Sequence, residues 1–147
     1  MRGAFALVVV VCGLAVAASA TATPPTAHSW AAAANSVCAK GNAEIRRLPQ
    51  STAPASAAKS FRAIAAIVIH ENVALAAVSK PSGERVMINT FIAASRSLVP
   101  LYRQAAALET EGDRSGLIVT LNKIDKLGSR YNVLARHLGA NVCAEAS

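Results

Sequence analysis

Residues 117–138 read LIVTLNKIDKLGSRYNVLARHL, and their periodicity sets the expected class of fold. Apolar or small side chains recur at alternating steps of four and three residues: Leu117, Leu121, Ile124, Gly128, Tyr131, Ala135 and Leu138. Residues with this spacing share one face of an α-helix, so the pattern predicts a helix with a single apolar stripe. Such a stripe is stable only when other helices cover it. The stretch therefore predicts a helical bundle.

The composition of the 147-residue chain fits one helical domain. Hydrophobic residues make up 53% and aromatic residues only 4%, and much of the apolar share is alanine, which favours closely packed helices. The net charge of +7 would suit nucleic acid, acidic polysaccharide or anionic lipid as a partner, or simply a well-solvated surface. Because the basic residues lack interleaved aromatic side chains, no nucleic-acid partner is predicted.

Residues 1–20 have the pattern of a secretory signal peptide. Arg2 gives a positive start, residues 4–18 are an uncharged apolar run, and the small residues Ala18-Ser19-Ala20 suit signal peptidase. An uncleaved membrane anchor is the alternative, but the run is short for a bilayer span of about 20 residues. We expect cleavage, a protein secreted or held at the cell envelope, no stable transmembrane segment after cleavage, and an unidentified envelope or extracellular partner.

Cleavage would remove Cys12 and leave two cysteines, Cys38 and Cys143. An even pair in an exported protein predicts a disulfide. This bond would close a loop of roughly 105 residues and stabilise the fold by about 4 to 5 kcal/mol in the chain-entropy model. A metal site is the alternative, but two thiolates without a nearby histidine or third cysteine are a poor ligand set. No metal is therefore predicted.

Three further helices are predicted ahead of the opening stretch. Residues 21–28, which include Pro24-Pro25, are expected to be a flexible lead-in to a single domain at residues 29–147. The predicted helices span about residues 30–48, 55–79 and 84–111. Short links between four helices favour antiparallel neighbours, so the predicted fold is all-α, an up-down-up-down four-helix bundle with one disulfide.

Several residues at the predicted helix ends have known end preferences. Ser29 and Asp113 are predicted N-caps, and Pro54 suits the first turn of the second helix. The sequence Pro-Ser-Gly at residues 81–83 is expected to end that helix. Pro100 lies inside the third helix, where it should kink the helix or remove one hydrogen bond.

In such a bundle, the positions of the two cysteines along the bundle axis do not match. Counting residues from the turns places Cys143 roughly 27 Å below Cys38, at about 1.5 Å per residue. Two adjustments would bring the cysteines together. The tail after Gly139 would fold back in an extended form, or the linker after Leu48 would let the first helix sit lower.

The candidate site centres on Glu71, which falls on the predicted apolar stripe of the second helix. A carboxylate in a core is unfavourable unless it is paired. Equal heights in the bundle place these side chains near Glu71: Ile92 or Ser95, Tyr131, Trp30, and Arg96 within reach. One interpretation is a buried polar site that binds a ligand or carries a catalytic carboxylate with a raised pKa. The other is a structural pair, or a rotation that brings Glu71 to the rim.

The sequence carries no complete catalytic or cofactor motif. It lacks the Gly-x-Ser-x-Gly elbow, the HExxH zinc motif and the Cys-x-x-Cys-His haem motif. Residues 122–125, NKID, resemble the guanine-specificity motif of GTPases, but the phosphate loop that those proteins need is absent. A non-covalently bound haem would need an axial ligand such as His70 or His137. No catalytic residue and no cofactor are predicted.

The whole chain resembles a group of bacterial proteins in outline. Its early cysteine lies in the sequence SVCA at residues 36–39, with Asn42 and Ile45 following, and its last helix ends at Leu138-Gly139 before Cys143. With the signal pattern and the Ala-rich body, these features resemble the small exported helical proteins of high-GC Gram-positive bacteria. The resemblance implies export and a cysteine pair, and it implies no activity.

These observations predict an exported helical binding or interaction protein without an identified role. The alternative is a small-ligand or haem carrier that uses a polar site in the bundle core, with His70, Glu71 and Tyr131 as the candidate residues. The sequence favours a protein that is not an enzyme, since nothing in it assembles a nucleophile, a base and a third orienting group.

Overall fold

The computed structural model describes residues 24–49 and 53–145, which fold into four α-helices and one short 3-10 helix. The elements are α1 (Ala27–Arg46), α2 (Pro54–Ala77), α3 (Arg85–Glu111), α4 (Arg114–His137) and the 3-10 helix Asn141–Glu145. Within these ranges there is no strand, so the predicted all-α class is confirmed. The predicted signal peptide at residues 1–20 lies outside the described residues, as does the start of the predicted lead-in.

Two helix starts show how local hydrogen bonds set the boundaries. α4 is capped as predicted, because the Gly116 N–H donates to the Asp113 carboxylate at 2.9 Å. In α1 the cap is Thr26 and not the predicted Ser29. The Ser29 N–H donates to the Thr26 hydroxyl at 3.1 Å, and the Thr26 N–H donates to the Ser29 hydroxyl at 2.9 Å. This reciprocal capping box needs Ser29 as the third helical residue, so α1 begins inside the predicted lead-in.

Helix α3 is the centre of the bundle. Helices α2 and α4 both pack along α3, and α1 packs against α2. The 3-10 helix packs against both α1 and α4, and it closes the side of the bundle between them. The predicted up-down-up-down bundle is therefore confirmed, with the C-terminal segment as an additional part of it.

Helix α1 covers only one half of the bundle. Its residue Gly41 lies against Glu71, which is about 25 Å along α2 from the first residue of that helix. The core beside α1 draws buried residues from every helix and from the tail, among them Trp30, Cys38, Leu75, Phe91, Tyr131 and Cys143. The second core draws on α2, α3 and α4: Leu98, Ala105 and Ile124, with Phe61, Leu101, Tyr102, Leu117, Leu121 and Leu127. The displacement of α1 along the bundle axis therefore closes part of the expected gap between Cys38 and Cys143.

The reversal of the chain after α4 closes the rest of the gap between the two cysteines. Gly139 adopts a φ of 73°, a left-handed conformation that glycine takes without steric strain. The tail then forms a 3-10 helix, so the predicted extended form is wrong, because the Cys143 N–H turns back to the Ala140 carbonyl at 3.0 Å. Cys38 and Cys143 are both buried and form the predicted disulfide, with their Cα atoms 5.0 Å apart.

Two asparagines of α1 hold the tail in place on either side of this disulfide. Asn35 donates to the carbonyl of Gly139 at 3.2 Å and accepts from the Val142 N–H at 2.9 Å. Asn42 donates to the Val142 carbonyl at 3.0 Å. Asn35, Cys38 and Asn42 are spaced by three and four residues, so they lie on one face of α1. This face satisfies backbone groups that the irregular tail cannot pair by itself.

Helix α2 is long and apolar enough to span a membrane, judged by length and composition alone. Only 28% of that apolar window is buried within the bundle. The large apolar side chains of α2 are nevertheless buried or partly covered, except Val73, which is 67% exposed. The expected lack of a stable transmembrane segment stays a prediction.

Candidate functional site

A cavity of about 430 Å³ lies between α2 and α4, with residues of α3 between them. We call it the α2–α4 groove. Its described lining residues belong to these three helices, and Glu71 at its edge is level with Gly41 near the end of α1. The groove therefore lies beside the last turns of α1, although no described residue of α1 lines it. Its volume is in the range of small-molecule sites.

The lining combines an apolar part with several polar groups. Val68, Leu98 and Ile124 supply the apolar surface. The oxygen-bearing side chains are two carboxylates, four hydroxyls and one carboxamide: Glu71, Asp125, Ser95, Ser129, Tyr102, Tyr131 and Asn132. Although the net charge of the chain is +7, no arginine, lysine or histidine is among the groove-lining residues that the structure describes. A groove of this kind suits a ligand with a positive charge and an apolar body.

Glu71 has the strongest electrostatic perturbation among the carboxylates of the groove. Burial, and secondly the negative charge of Glu44, raise the pKa of the Glu71 carboxyl from 4.5 to about 7. No basic side chain in the described part of the chain forms an ion pair with Glu71. The group therefore exchanges a proton near neutral pH, and a positive charge in the groove would favour its ionised form.

Gly41 explains how a carboxylate fits between two packed helices. Gly41 is buried, and a Cβ atom at this position would overlap the side chain of Glu71. Glycine weakens a helix by about 1 kcal/mol relative to alanine, so it needs a compensating reason inside α1. The reason here is close approach, because only glycine leaves room for the Glu71 side chain against α1.

Tyr131 connects the groove to the core beside α1. Its ring stacks on Phe91, with centroids 4.6 Å apart, and Phe91 in turn meets Trp30 edge to face at 6.0 Å. The Tyr131 hydroxyl lies 3.8 Å from Cys38 Sγ, to which it donates, since a disulfide sulfur carries no hydrogen. Burial, and then the charge of Glu71, raise the pKa of Tyr131, so this hydroxyl stays protonated as a donor.

Tyr102 lines the same groove. Burial raises its pKa, and the negative charges of Asp125 and Glu71 add to the effect. Tyr102 therefore presents a protonated hydroxyl beside acidic groups. Its partly exposed ring also supplies an aromatic face of the kind that attracts an organic cation, whereas the buried Tyr131 ring is stacked on Phe91.

The structure brings together two of the three candidate residues from the sequence. Glu71 and Tyr131 line the same groove, and Ser95, expected near Glu71, lines it too. His70 is exposed on α2 and is not among the described lining residues. Arg96, expected within reach of Glu71, is instead exposed and lines a different cavity. Glu71 is partly buried, and the fully buried polar residue beside it is Asn72.

Several groove residues were not identified from the sequence. They are Tyr102, Asp125, Ser129 and Asn132, and Gly128 was assigned only to an apolar stripe. A Cβ atom at Gly128 would meet no heavy atom within 4 Å, so this glycine faces open space. The available signal for a groove was a pair of small residues, Gly128 of α4 and Ser95 of α3, that face inward on adjacent helices. Small residues at such positions leave space between helices.

Metal ligation gains no support from the described residues. Within residues 24–49 and 53–145, no three side chains of histidine, cysteine, aspartate or glutamate form a group that could hold a metal ion. The expected absence of a metal stays a prediction.

Comparison with known proteins does not assign the chain to a family. No family model, no curated protein and no solved structure matches the chain. The resemblance to small exported helical proteins is therefore untested. The structure defines an all-α four-helix bundle, closed by one disulfide, with a groove lined by α2, α3 and α4.

Proposed function

We propose that this protein is an exported small-molecule-binding protein whose α2–α4 groove holds a ligand with a basic amine and an apolar body. The observation that carries the proposal is Glu71, a partly buried carboxyl that lines a ligand-sized cavity and has no basic partner among the described residues. A buried carboxylate without a cation is unfavourable, so a bound cation would relieve it.

The rest of the lining supports the same ligand class. Asp125 adds a second acidic group, and the partly exposed ring of Tyr102 offers a face for an organic cation. Leu98 and Ile124 are buried and would contact the apolar part of the ligand. An anionic ligand would meet carboxylates and no described basic side chain. This charge pattern disfavours anions.

Export is the second part of the proposal. It is supported by the sequence pattern of residues 1–20 and by the buried disulfide, because disulfides persist in oxidising compartments outside the cytosol. A binding protein at the cell envelope or outside the cell also fits a fold in which no complete catalytic motif appears. Haem is the less favoured ligand, since His70 is exposed and lies apart from the described groove lining.

The test uses three fluorescent probes that share one apolar body: dansylcadaverine, which carries an amine, neutral dansylamide, and anionic dansylglycine. We expect dansylcadaverine to bind at least tenfold more tightly than dansylglycine at pH 8, with dansylamide between them. Binding of the amine should strengthen as pH rises through about 7, because Glu71 then loses its proton. Equal binding of all three probes would disprove the proposed ligand class.

A groove-filling variant separates this site from other surfaces. Gly128→Leu places a side chain into the open space of the groove without a Cβ clash, and it should abolish binding of dansylcadaverine. Asn122→Leu, at an exposed position of the same helix, adds the same apolar group outside the described lining and should bind normally. If Gly128→Leu binds the probe as the parent does, the groove is not the site.

A further inference from the structure

The second feature of interest is the exposed surface between α2 and α3, on which two cavities adjoin. Their volumes are about 290 and 360 Å³, and both are lined by Ile69 and Arg103. No described residue lines both this surface and the α2–α4 groove. We call it the outer α2–α3 face. It is independent of the proposed ligand site.

Positive charge and apolar side chains alternate on the outer α2–α3 face. Arg62, Arg96 and Arg103 are exposed there, and no acidic side chain is among the described residues that line it. In the described chain, neither Arg96 nor Arg103 forms an ion pair. Their charges therefore stay available to an external anion.

The apolar share of this face is equally exposed. Val73 is 67% exposed, and Ile69 and Val99 are only partly covered beside it. Only 28% of the apolar window of α2 is fully buried, and Val73 is the exposed large apolar side chain of this helix. Apolar groups next to unpaired arginines fit a partner that offers both anions and hydrocarbon.

Unused hydrogen-bonding capacity lies under the same face. Asn72 lines it, is only 4% exposed, and has no hydrogen-bond partner for its side-chain nitrogen or oxygen within the described residues. Pro100 also lines the face, and its ring nitrogen cannot donate to the Arg96 carbonyl four residues earlier. Unpaired buried polar groups are unfavourable by about 1–3 kcal/mol each.

We infer that the outer α2–α3 face docks on the surface of an anionic lipid bilayer. Arg62, Arg96 and Arg103 meet the lipid phosphates, and Val73 enters the boundary between headgroups and acyl chains. A free phosphate would use the arginines and leave Val73 without a role. A nucleic acid would leave it without a role as well, and the described residues that line the face include no aromatic side chain for base stacking.

The test is co-sedimentation of the full mature chain with vesicles of phosphatidylglycerol and phosphatidylcholine, compared with pure phosphatidylcholine. The protein should bind the anionic vesicles at low salt and the neutral vesicles far less, and salt should weaken binding. The double variant Arg96→Gln/Arg103→Gln should bind about 25-fold more weakly, from about fivefold per arginine. Equal binding to both kinds of vesicle would overturn the proposal.

Two matched controls separate this face from net charge and general apolarity. Arg130→Gln/Arg136→Gln removes two exposed charges from α4 and should change binding much less. Val73→Ser should weaken binding about threefold or more, whereas Val133→Ser, at a position 55% exposed on α4, should not. If the α4 charge pair matters as much as Arg96 and Arg103, or if Val73→Ser binds normally, there is no lipid-docking face. Circular dichroism checks that each variant is folded.

Discussion

At the scale of single residues, Glu71 combines a packing role with a chemical one. Its side chain lies against Gly41, and it lines the α2–α4 groove near Tyr131. Burial disfavours its charged form, and Glu44 disfavours it further. The bundle therefore tolerates Glu71 best when the carboxyl is protonated, and a cationic ligand would reverse that preference.

This balance predicts the effect of Glu71→Gln on pH-dependent stability. Because the folded-state pKa of about 7 exceeds the ordinary value of 4.5, the folded protein holds the proton more tightly than the unfolded chain does. The free energy of unfolding should thus be highest below pH 4.5, fall between pH 4.5 and about 7, and level off above. Partial solvation reduces the expected fall to about 1 to 3 kcal/mol.

Urea unfolding at pH 4, 6 and 8 measures this effect. Glu71→Gln should resemble the parent at pH 4 and exceed its stability at pH 8, since the amide never ionises. Glu111→Gln, at the exposed end of α3, should keep the parent's pH dependence. A parent and a Glu71→Gln variant with the same pH profile would show that Glu71 is not desolvated.

At the scale of elements, α1 is positioned by a few specific contacts. Gly41 admits the Glu71 side chain, and Asn35 and Asn42 bind the backbone of the C-terminal tail. These contacts set how far along α2 the first helix sits. α1 continues past Gly41 to Arg46, yet no described residue of α1 lines the groove, which stays open beside the last turns of this helix.

Gly41→Ala tests the contact between α1 and α2. The new Cβ atom would overlap Glu71, so we expect a loss of about 1–3 kcal/mol, reduced by the roughly 1 kcal/mol that alanine adds to a helix. The double variant Gly41→Ala/Glu71→Ala removes the overlap and should recover the helix gain. A double-mutant cycle by urea unfolding measures the coupling. Strictly additive effects would mean that the two residues do not touch.

At the scale of the whole molecule, the disulfide joins the first helix to the last turn of the chain. The 3-10 helix that carries Cys143 packs on both α1 and α4, so one covalent bond closes the bundle. The other end of the molecule has a smaller core, which α2, α3 and α4 supply. Stability is therefore expected to concentrate in the half that holds the disulfide.

Removing the disulfide should destabilise the whole fold. With a sequence separation of 105 residues, the chain-entropy model assigns the bond about 4 to 5 kcal/mol. Cys38→Ser/Cys143→Ser should lose about this amount in urea unfolding and lose amide protection first in α1 and the tail. Chemically reduced parent protein is the control, since it shares the open loop without the serine hydroxyls. A loss below about 1 kcal/mol in both would contradict the entropic role.

Local pattern was sufficient for the helices, their order and the cysteine pair. A helical stripe and a cap such as Asp113 depend on neighbouring residues, and the pair of cysteines after residue 20 can be counted directly, so the chain carries all three in linear form. The axial position of α1, the 3-10 form of the tail and the rotation that buries Asn72 beside a partly buried Glu71 came from packing between distant segments. Periodicity specifies which face turns inward only to within about one residue, and it says nothing about offset along a helix axis. The groove depends on that offset, because it is the space that α1 leaves uncovered.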